Sequence, residues 1–190
     1  MVYDRRSAMN PLFIGIVLFA SFTHGFSGLG FGIIIMACLF ISPWTAEVTA
    51  FFTNVLVIFI FLVILLADRK TFQANWLMIG RIFVGQALGI GVGYQFIHYY
   101  GQRGIFYFSL GLILVVFSGY QLVRPPIKRH LPTWVGLTSG LFAGFCTGAF
   151  AAGGPPIALY LYSSMDNPAE AKWTMQIIFL FGLIWRLFNV

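Results

Sequence analysis

The chain has 190 residues, of which 59% are hydrophobic and only 8% are charged. A soluble domain carries about 25% charged residues, so this composition excludes a soluble protein and indicates a membrane protein. The formal net charge of +6 lies in short segments between apolar runs. That distribution is typical of loops that orient a membrane protein, and it argues against a nucleic-acid partner.

Six apolar runs offer candidate transmembrane helices, each of which needs about 20 residues to cross a bilayer. None alternates polar and apolar residues as a strand would, so we predict an all-α membrane protein with about six transmembrane helices. In chain order the runs cover residues 11–40, 46–67, 76–98, 105–123, 134–162 and 169–190. Cys38 and Cys146 lie inside apolar runs and are interpreted as buried packing residues, and the sequence indicates no disulfide, metal site or cofactor.

The basic residues predict the orientation of these helices, because cytoplasmic loops carry an excess of Lys and Arg. If each run crosses the membrane once, Arg103 and Lys172 fall on one side. The basic residues that fall on the other side are Arg5, Arg6, Arg69, Lys70, Arg124, Lys128 and Arg129. The N-terminus and the basic linker 124–133 are therefore predicted to be cytoplasmic.

A repeat runs through the chain at an offset of 123 residues. Residues 18–25 read LFASFTHG and residues 141–148 read LFAGFCTG, with five identical positions. Such a match indicates duplication of a unit of about four helices, and we expect the chain to end inside the second copy, which a homodimer is one way to complete. The predicted parts are a first unit at 1–123, the linker at 124–133 and an incomplete second unit of about two helices at 134–190.

Glycine and proline interrupt the corresponding apolar run in both units. The first run contains Gly25, Gly28, Gly30 and Gly32, and the fifth contains Gly153–Pro156, read GGPP. An internal Gly weakens a helix by about 1 kcal/mol, and Pro removes a backbone donor and clashes with the preceding turn. We therefore predict two broken helices that line a polar cavity suited to an anion. Close packing of small residues is the alternative.

Polar side chains near these interruptions are candidates for contact with a substrate. His24 is an ionisable residue within a span, where it can donate to an oxyanion or bond to a neighbouring carbonyl. Thr53 and Asn54 can contact a substrate or bond between helices, and Arg186 fits either an anionic substrate or the membrane interface. The predicted substrate-binding residues are His24, Ser27, Gly28, Gly30, Thr53, Asn54, Thr147, Gly153, Gly154 and Pro155, and no catalytic residue is predicted.

Two glutamates also recur at the repeat offset. Glu47 follows Ser42-Pro43, and Glu170 follows Asn167-Pro168. Because Ser-Pro and Asn-Pro are helix-start signals, both carboxylates are interpreted as first-turn residues that match the helix dipole rather than as catalytic groups.

Two other functions fit parts of the sequence. Gly25-Phe26-Ser27-Gly28 matches the GxSG of intramembrane serine proteases, which need a Ser and a His on neighbouring helices. His24, however, lies on the same helix as Ser27, and His98 is expected at the opposite membrane face. The other alternative is a structural membrane protein without a substrate path, in which the interruptions are packing faces only.

Three sequence features together carry a family resemblance. They are the Gly-rich first run, the segment 140–161 with its GxxxG and GGPPIALYL stretches, and NPAEAKWT at residues 167–174. With the duplication, they resemble the sulfite exporter TauE/SafE family of bacterial membrane permeases over nearly the whole chain. The resemblance implies two four-helix units in the bacterial inner membrane and transport of a small anion such as sulfite or an organosulfonate. Two units that rock against each other would give alternating access.

Overall fold

The long apolar runs form helices, as an apolar segment in lipid must, since a helix satisfies its own backbone hydrogen bonds. The computed structural model describes residues 11–27, 31–38, 45–67, 72–123 and 131–188, and within these ranges it contains helices and no strand. The all-α prediction is therefore confirmed. The helices are α1 (Pro11–Ser27), α2 (Phe31–Ala37), α3 (Ala46–Ala67), α4 (Trp76–Tyr100), α5 (Gly104–Val123), α6 (Thr133–Phe150), α7 (Gly154–Ser164) and α8 (Pro168–Phe188).

Three of these helices are long and apolar enough to cross a bilayer. They are Ala46–Leu66 in α3, Trp76–Tyr100 in α4 and Pro168–Phe188 in α8. Ile14–His24 and Gly104–Phe117 are apolar but shorter. The described residues thus contain three clear candidate spans where the sequence predicted six. One reason is that the runs at 11–40 and 134–162 each contain two helices rather than one.

Short polar side chains begin three of the helices. Thr45, Asn75 and Asn167 each accept a hydrogen bond from a backbone N–H in the following turn, at 3.4, 3.1 and 3.0 Å, which satisfies a donor that has no partner within the helix. Glu47 and Glu170 lie in the first turns of α3 and α8, as predicted. The predicted start signal Ser42-Pro43 lies outside the described residues, and Thr45 caps α3 instead.

Helices α4 and α6 pack through glycines at four-residue spacing. Because a residue four positions along lies on the same helix face, the glycines form a continuous groove on each helix and the two backbones come into contact. A Cβ on any of them would overlap backbone atoms of the facing helix. The glycines are Gly85, Gly89 and Gly93 on α4 and Gly140, Gly144 and Gly148 on α6.

The fifth apolar run is broken where the sequence predicted a break. Helix α6 ends at Phe150, and the residue that caps it, Ala151, adopts the left-handed conformation with φ 52°. Helix α7 begins at Gly154, with Pro155 and Pro156 in its first turn. Helices α2 and α7 begin at residues 31 and 154, and α3 and α8 at residues 46 and 168. These starts match the sequence offset of 123 residues to within one residue.

Apolar side chains from both halves form the core around the interruptions. Phe31, Phe61, Ile157 and Ile178 are among the buried residues of one cluster, which joins α2 and α3 to α7 and α8. Many large apolar side chains on the outer surfaces of the helices are exposed, as expected where lipid is the solvent. Cys146 is buried, Cys38 is half-buried, and both are free thiols.

Candidate anion site

The interruption between α6 and α7 lies against the start of α2. Gly32, in the first turn of α2, is buried, and a Cβ at this position would overlap the carbonyl oxygen of Ala151. A Cβ on Gly153 would overlap the hydroxyl oxygen of Thr147. Both positions therefore require glycine, because the neighbouring groups leave no room for a side chain.

A cavity of about 50 Å³ opens between this contact and helices α3 and α8. One water needs about 10–15 Å³ of such space, so the cavity holds roughly three or four waters, or one small anion. A mostly apolar wall with a few polar groups is the usual composition of a small-molecule site. The larger apolar side chains of the wall are Phe31, Ile33, Val57, Phe61, Phe179 and Leu183.

Most of the predicted substrate-binding residues line this cavity. Ser27 is the last residue of α1 but its side chain is not among those described, and Gly28 and Gly30 lie outside the described residues. Whether the lining residues bind a substrate stays a prediction. Those that the structure brings together are His24, Thr53, Asn54, Thr147, Gly153, Gly154 and Pro155.

His24 lines the cavity and carries unsatisfied polar atoms. Its side chain is only 4% exposed, and neither ring nitrogen has a hydrogen-bond partner among the described residues. The imidazole lies edge-on to the rings of Phe31 and Phe61, with centroids 6.4 and 5.3 Å away. The bond to a neighbouring carbonyl, which was the alternative at the level of sequence, is not formed within the described chain, so the ring N–H has no acceptor there.

Asn54 is held by a residue from the far end of the chain. Its Oδ1 accepts a hydrogen bond of 3.0 Å from Nη1 of Arg186 in α8. Because a guanidinium only donates, the carboxamide must turn its oxygen towards Arg186 and its NH₂ group away. Nδ2 of Asn54 is buried and has no partner in the described structure, which leaves a second donor beside the cavity.

The hydroxyls of Thr53 and Thr147 are already engaged. The Thr53 hydroxyl donates to the carbonyl of Thr49 at 2.7 Å, and the Thr147 hydroxyl donates to the carbonyl of Ala143 at 2.9 Å. A hydroxyl carries only one hydrogen, so in these rotamers both present lone pairs rather than a donor to the cavity. They shape the wall, whereas His24 and Asn54 supply the side-chain donors.

The N-terminus of α7 supplies backbone donors. No side chain caps this helix at Gly153, and the first N–H groups of any helix lack an intrahelical acceptor. Pro155 and Pro156 have no N–H, so the donors that remain are those of Gly153 and Gly154. The helix dipole adds a partial positive charge here, and no Asp or Glu is among the residues that line the cavity.

Arg186 and the aromatic wall were not in the predicted site. The sequence left Arg186 between a substrate contact and the membrane interface; the structure places it 2% exposed and bonded to Asn54. The sequence did contain a signal for a buried partner of Arg186, since an arginine deep in an apolar run is energetically costly unless it has one. Phe31 and Phe61 gave no signal, because the chain contains 22 phenylalanines.

The residue groups that a serine protease or a metal site would need are not brought together in the part of the chain that the structure describes. His98, at the end of α4, bonds through Nδ1 to Oε1 of Glu47 at 2.8 Å on the exposed surface, and His24 shares a helix with Ser27. No group of three or more His, Cys, Asp or Glu among the described residues could hold a metal ion.

Apolar helices around a small buried cavity with donors and no acidic lining define an integral membrane protein with a candidate anion site. The chain belongs to the sulfite exporter TauE/SafE family, whose family model matches residues 13–188. This is a family of membrane transporters for sulfur anions, so the resemblance found in the sequence is confirmed and the serine protease alternative is not favoured. No curated protein and no solved structure matches the chain.

Proposed function

We propose that this chain is a permease that moves a small sulfur oxyanion, sulfite or an organosulfonate, through the cavity between the broken helices. The observation that carries the proposal is that several residues with unpartnered donors line one cavity. They are the ring of His24, Nδ2 of Asn54 and the uncapped N-terminus of α7. Membership of the family supports a sulfur anion as the cargo.

An oxyanion fits these groups for electrostatic reasons. Each of its oxygens accepts hydrogen bonds, and a bond to a charged acceptor contributes about 1.5–3 kcal/mol, more than a bond between neutral groups. The donors come from α1, α3 and α7, so they would surround the anion from three directions. A cation would find no carboxylate in the lining, and an uncharged apolar solute would leave the donors unsatisfied.

Duplication supports a transport mechanism of alternating access. The matching helix starts and the repeated sequence fit two related units, 1–123 and 134–190, joined by the linker 124–133. At the offset of 123 residues, Ser27, Gly28 and Gly30 would correspond to residues 150, 151 and 153, of which 151 and 153 line the cavity. One unit would rock against the other in the bacterial inner membrane, with the N-terminus in the cytoplasm.

Flux of isotope-labelled sulfite from proteoliposomes that contain the full chain tests the proposal. We expect a saturable efflux that methanesulfonate inhibits by competition and that chloride at the same concentration does not. A rate equal to that of protein-free liposomes would contradict the proposed function, as would equal inhibition by chloride.

A matched pair of glycine variants tests whether the flux depends on the contact beside the cavity. Gly32→Ala should lower the flux at least tenfold, because its Cβ would push α2 away from Ala151. Gly15→Ala should leave the flux unchanged, since nothing lies within 4 Å of a Cβ there. Equal flux from both variants would place the transport path elsewhere.

A further inference from the structure

Arg186 lies beside a second cavity, next to the candidate anion site. Its side chain is 2% exposed and forms part of the wall of a cavity of about 240 Å³, together with Glu47, Tyr94 and Ile97. Nη1 donates to Asn54, whose NH₂ group is beside the first cavity. Asn54 lines the first cavity and is bonded to Arg186, which lines the second.

The guanidinium has no counter-charge among the described residues. Glu47 lines the same cavity, but it forms no ion pair with Arg186, and its Oε1 accepts from His98 instead. Nε of Arg186 is buried and has no hydrogen-bond partner there. A buried cation without a counter-charge is strongly unfavourable, so a position of this kind calls for an anion.

We propose that Arg186 forms a second binding position for the transported anion, an inference that rests on the proposed function of the first cavity. A guanidinium has five N–H donors in a planar fork that matches an oxyanion. Only Nη1 is used by Asn54, so the remaining donors can bind an anion in the second cavity. The first cavity offers neutral donors, and Arg186 supplies the full positive charge.

The same geometry gives Asn54 a role in passing the anion between positions. Arg186 fixes the oxygen of the carboxamide, so the NH₂ group is held ready beside the first cavity. In this proposal an anion that leaves the NH₂ group would move to the guanidinium, which is bonded to the oxygen of the same carboxamide. The path would therefore run from the α7 N-terminus past Asn54 to Arg186.

Thermal unfolding of the purified full chain with increasing sulfite, and separately sulfate, tests the second position. Anion binding raises the melting temperature by mass action. We expect Arg186→Gln to raise the apparent Kd for sulfite about tenfold or more, because Gln carries no charge. Arg186→Lys should restore part of the affinity. Arg81→Gln, which removes the same charge from an exposed site on α4, should leave the affinity unchanged.

Two further variants keep the test valid if Arg186→Gln does not fold. Asn54→Asp should abolish the sulfite-dependent shift while it raises the melting temperature without anion, since the new carboxylate pairs with Arg186. Glu47→Gln should lower the Kd, because it removes a negative charge from the same cavity. Unchanged sulfite affinity in both Arg186→Gln and Asn54→Asp would overturn the inference, and so would weaker binding by Glu47→Gln.

The proteoliposome flux separates this inference from the proposed function. If wild type transports sulfite with saturation and Arg186→Gln keeps the same KM, the function stands and the second position is wrong. If wild type shows no flux but its sulfite-dependent stabilisation is lost in Arg186→Gln, the binding position stands and the transport proposal fails.

Discussion

His24 combines a cost in stability with the chemistry that an anion site needs. Its two ring nitrogens are buried without partners in the described structure, and leaving a buried polar group unsatisfied costs about 1–3 kcal/mol. If position 24 had only a structural role, an apolar side chain would be expected there. The presence of an imidazole is explained if its N–H binds a ligand during transport.

Replacing His24 with Leu should therefore separate stability from function. We expect the melting temperature of His24→Leu without sulfite to equal or exceed that of wild type, because an unsatisfied polar group is removed. The KM for sulfite efflux should rise about tenfold. His24→Gln retains an N–H donor and should lie between the two. A lower melting temperature with an unchanged KM would show that the imidazole is a structural group.

Ala151 is the one described non-glycine residue with a positive φ, at 52°. The left-handed conformation costs an L-residue about 1–2 kcal/mol, whereas glycine adopts it freely but loses more backbone entropy on folding. The strain is tolerated because the turn satisfies the last carbonyls of α6, with Ala151 N–H donating to Thr147 at 3.1 Å.

Ala151→Gly should stabilise the protein by up to about 1 kcal/mol, the difference between these two effects. Thermal unfolding in detergent would show it as a rise in melting temperature of roughly 1–4 °C. Ala152→Gly is the matched control and should lower the melting temperature, since its φ is not positive and only the entropy cost applies. A lower melting temperature in both variants would contradict the conclusion that Ala151 is strained.

At the scale of elements, the α4–α6 contact holds the interruption in place. The glycines of α4 lie against backbone atoms of α6, and α6 leads directly into the break at Ala151. Because the two backbones touch, α4 fixes the end of α6 without flexible side chains between them. The cavity is thus built on a rigid pair of helices.

Two glycines on α4 test this packing against simple helix propensity. Gly89→Ala should destabilise the protein by about 1–3 kcal/mol, since its Cβ would overlap the carbonyl of Leu141 and overpacking has that cost. Gly91→Ala has nothing within 4 Å of its Cβ and should gain up to about 1 kcal/mol from helix propensity. Their melting temperatures should move in opposite directions. Equal shifts would mean that α4 and α6 are not in close contact.

At the scale of the whole molecule, the sequence predicted the features that have a local signal and did not predict the contacts between distant residues. The double proline predicted the break before α7 because it acts on its own backbone. The continuous apolar runs without alternation predicted an all-α fold, and the interruption at Gly153, Gly154 and Pro155 predicted a segment that lines the cavity. The bond between Arg186 and Asn54 joins residues 132 positions apart, and no local pattern specifies it. The bond from the hydroxyl of Thr53 to the carbonyl of Thr49 is local, but it depends on the side-chain rotamer, which the sequence does not specify.

If the anion passes through the first cavity, added bulk in the wall of that cavity should block transport. Ala152 lines the cavity and is half-buried, so a Leu at this position would project three more carbon atoms into about 50 Å³ of space. Ala169→Leu adds the same bulk at an exposed position in the first turn of α8.

The sulfite efflux of Ala152→Leu, measured in proteoliposomes beside wild type and Ala169→Leu, tests the central claim most directly. We expect the saturable flux of Ala152→Leu to fall to the protein-free rate while its melting temperature stays within a few degrees of wild type. Ala169→Leu should transport as wild type does. Undiminished flux through Ala152→Leu would contradict the claim that the anion passes through this cavity.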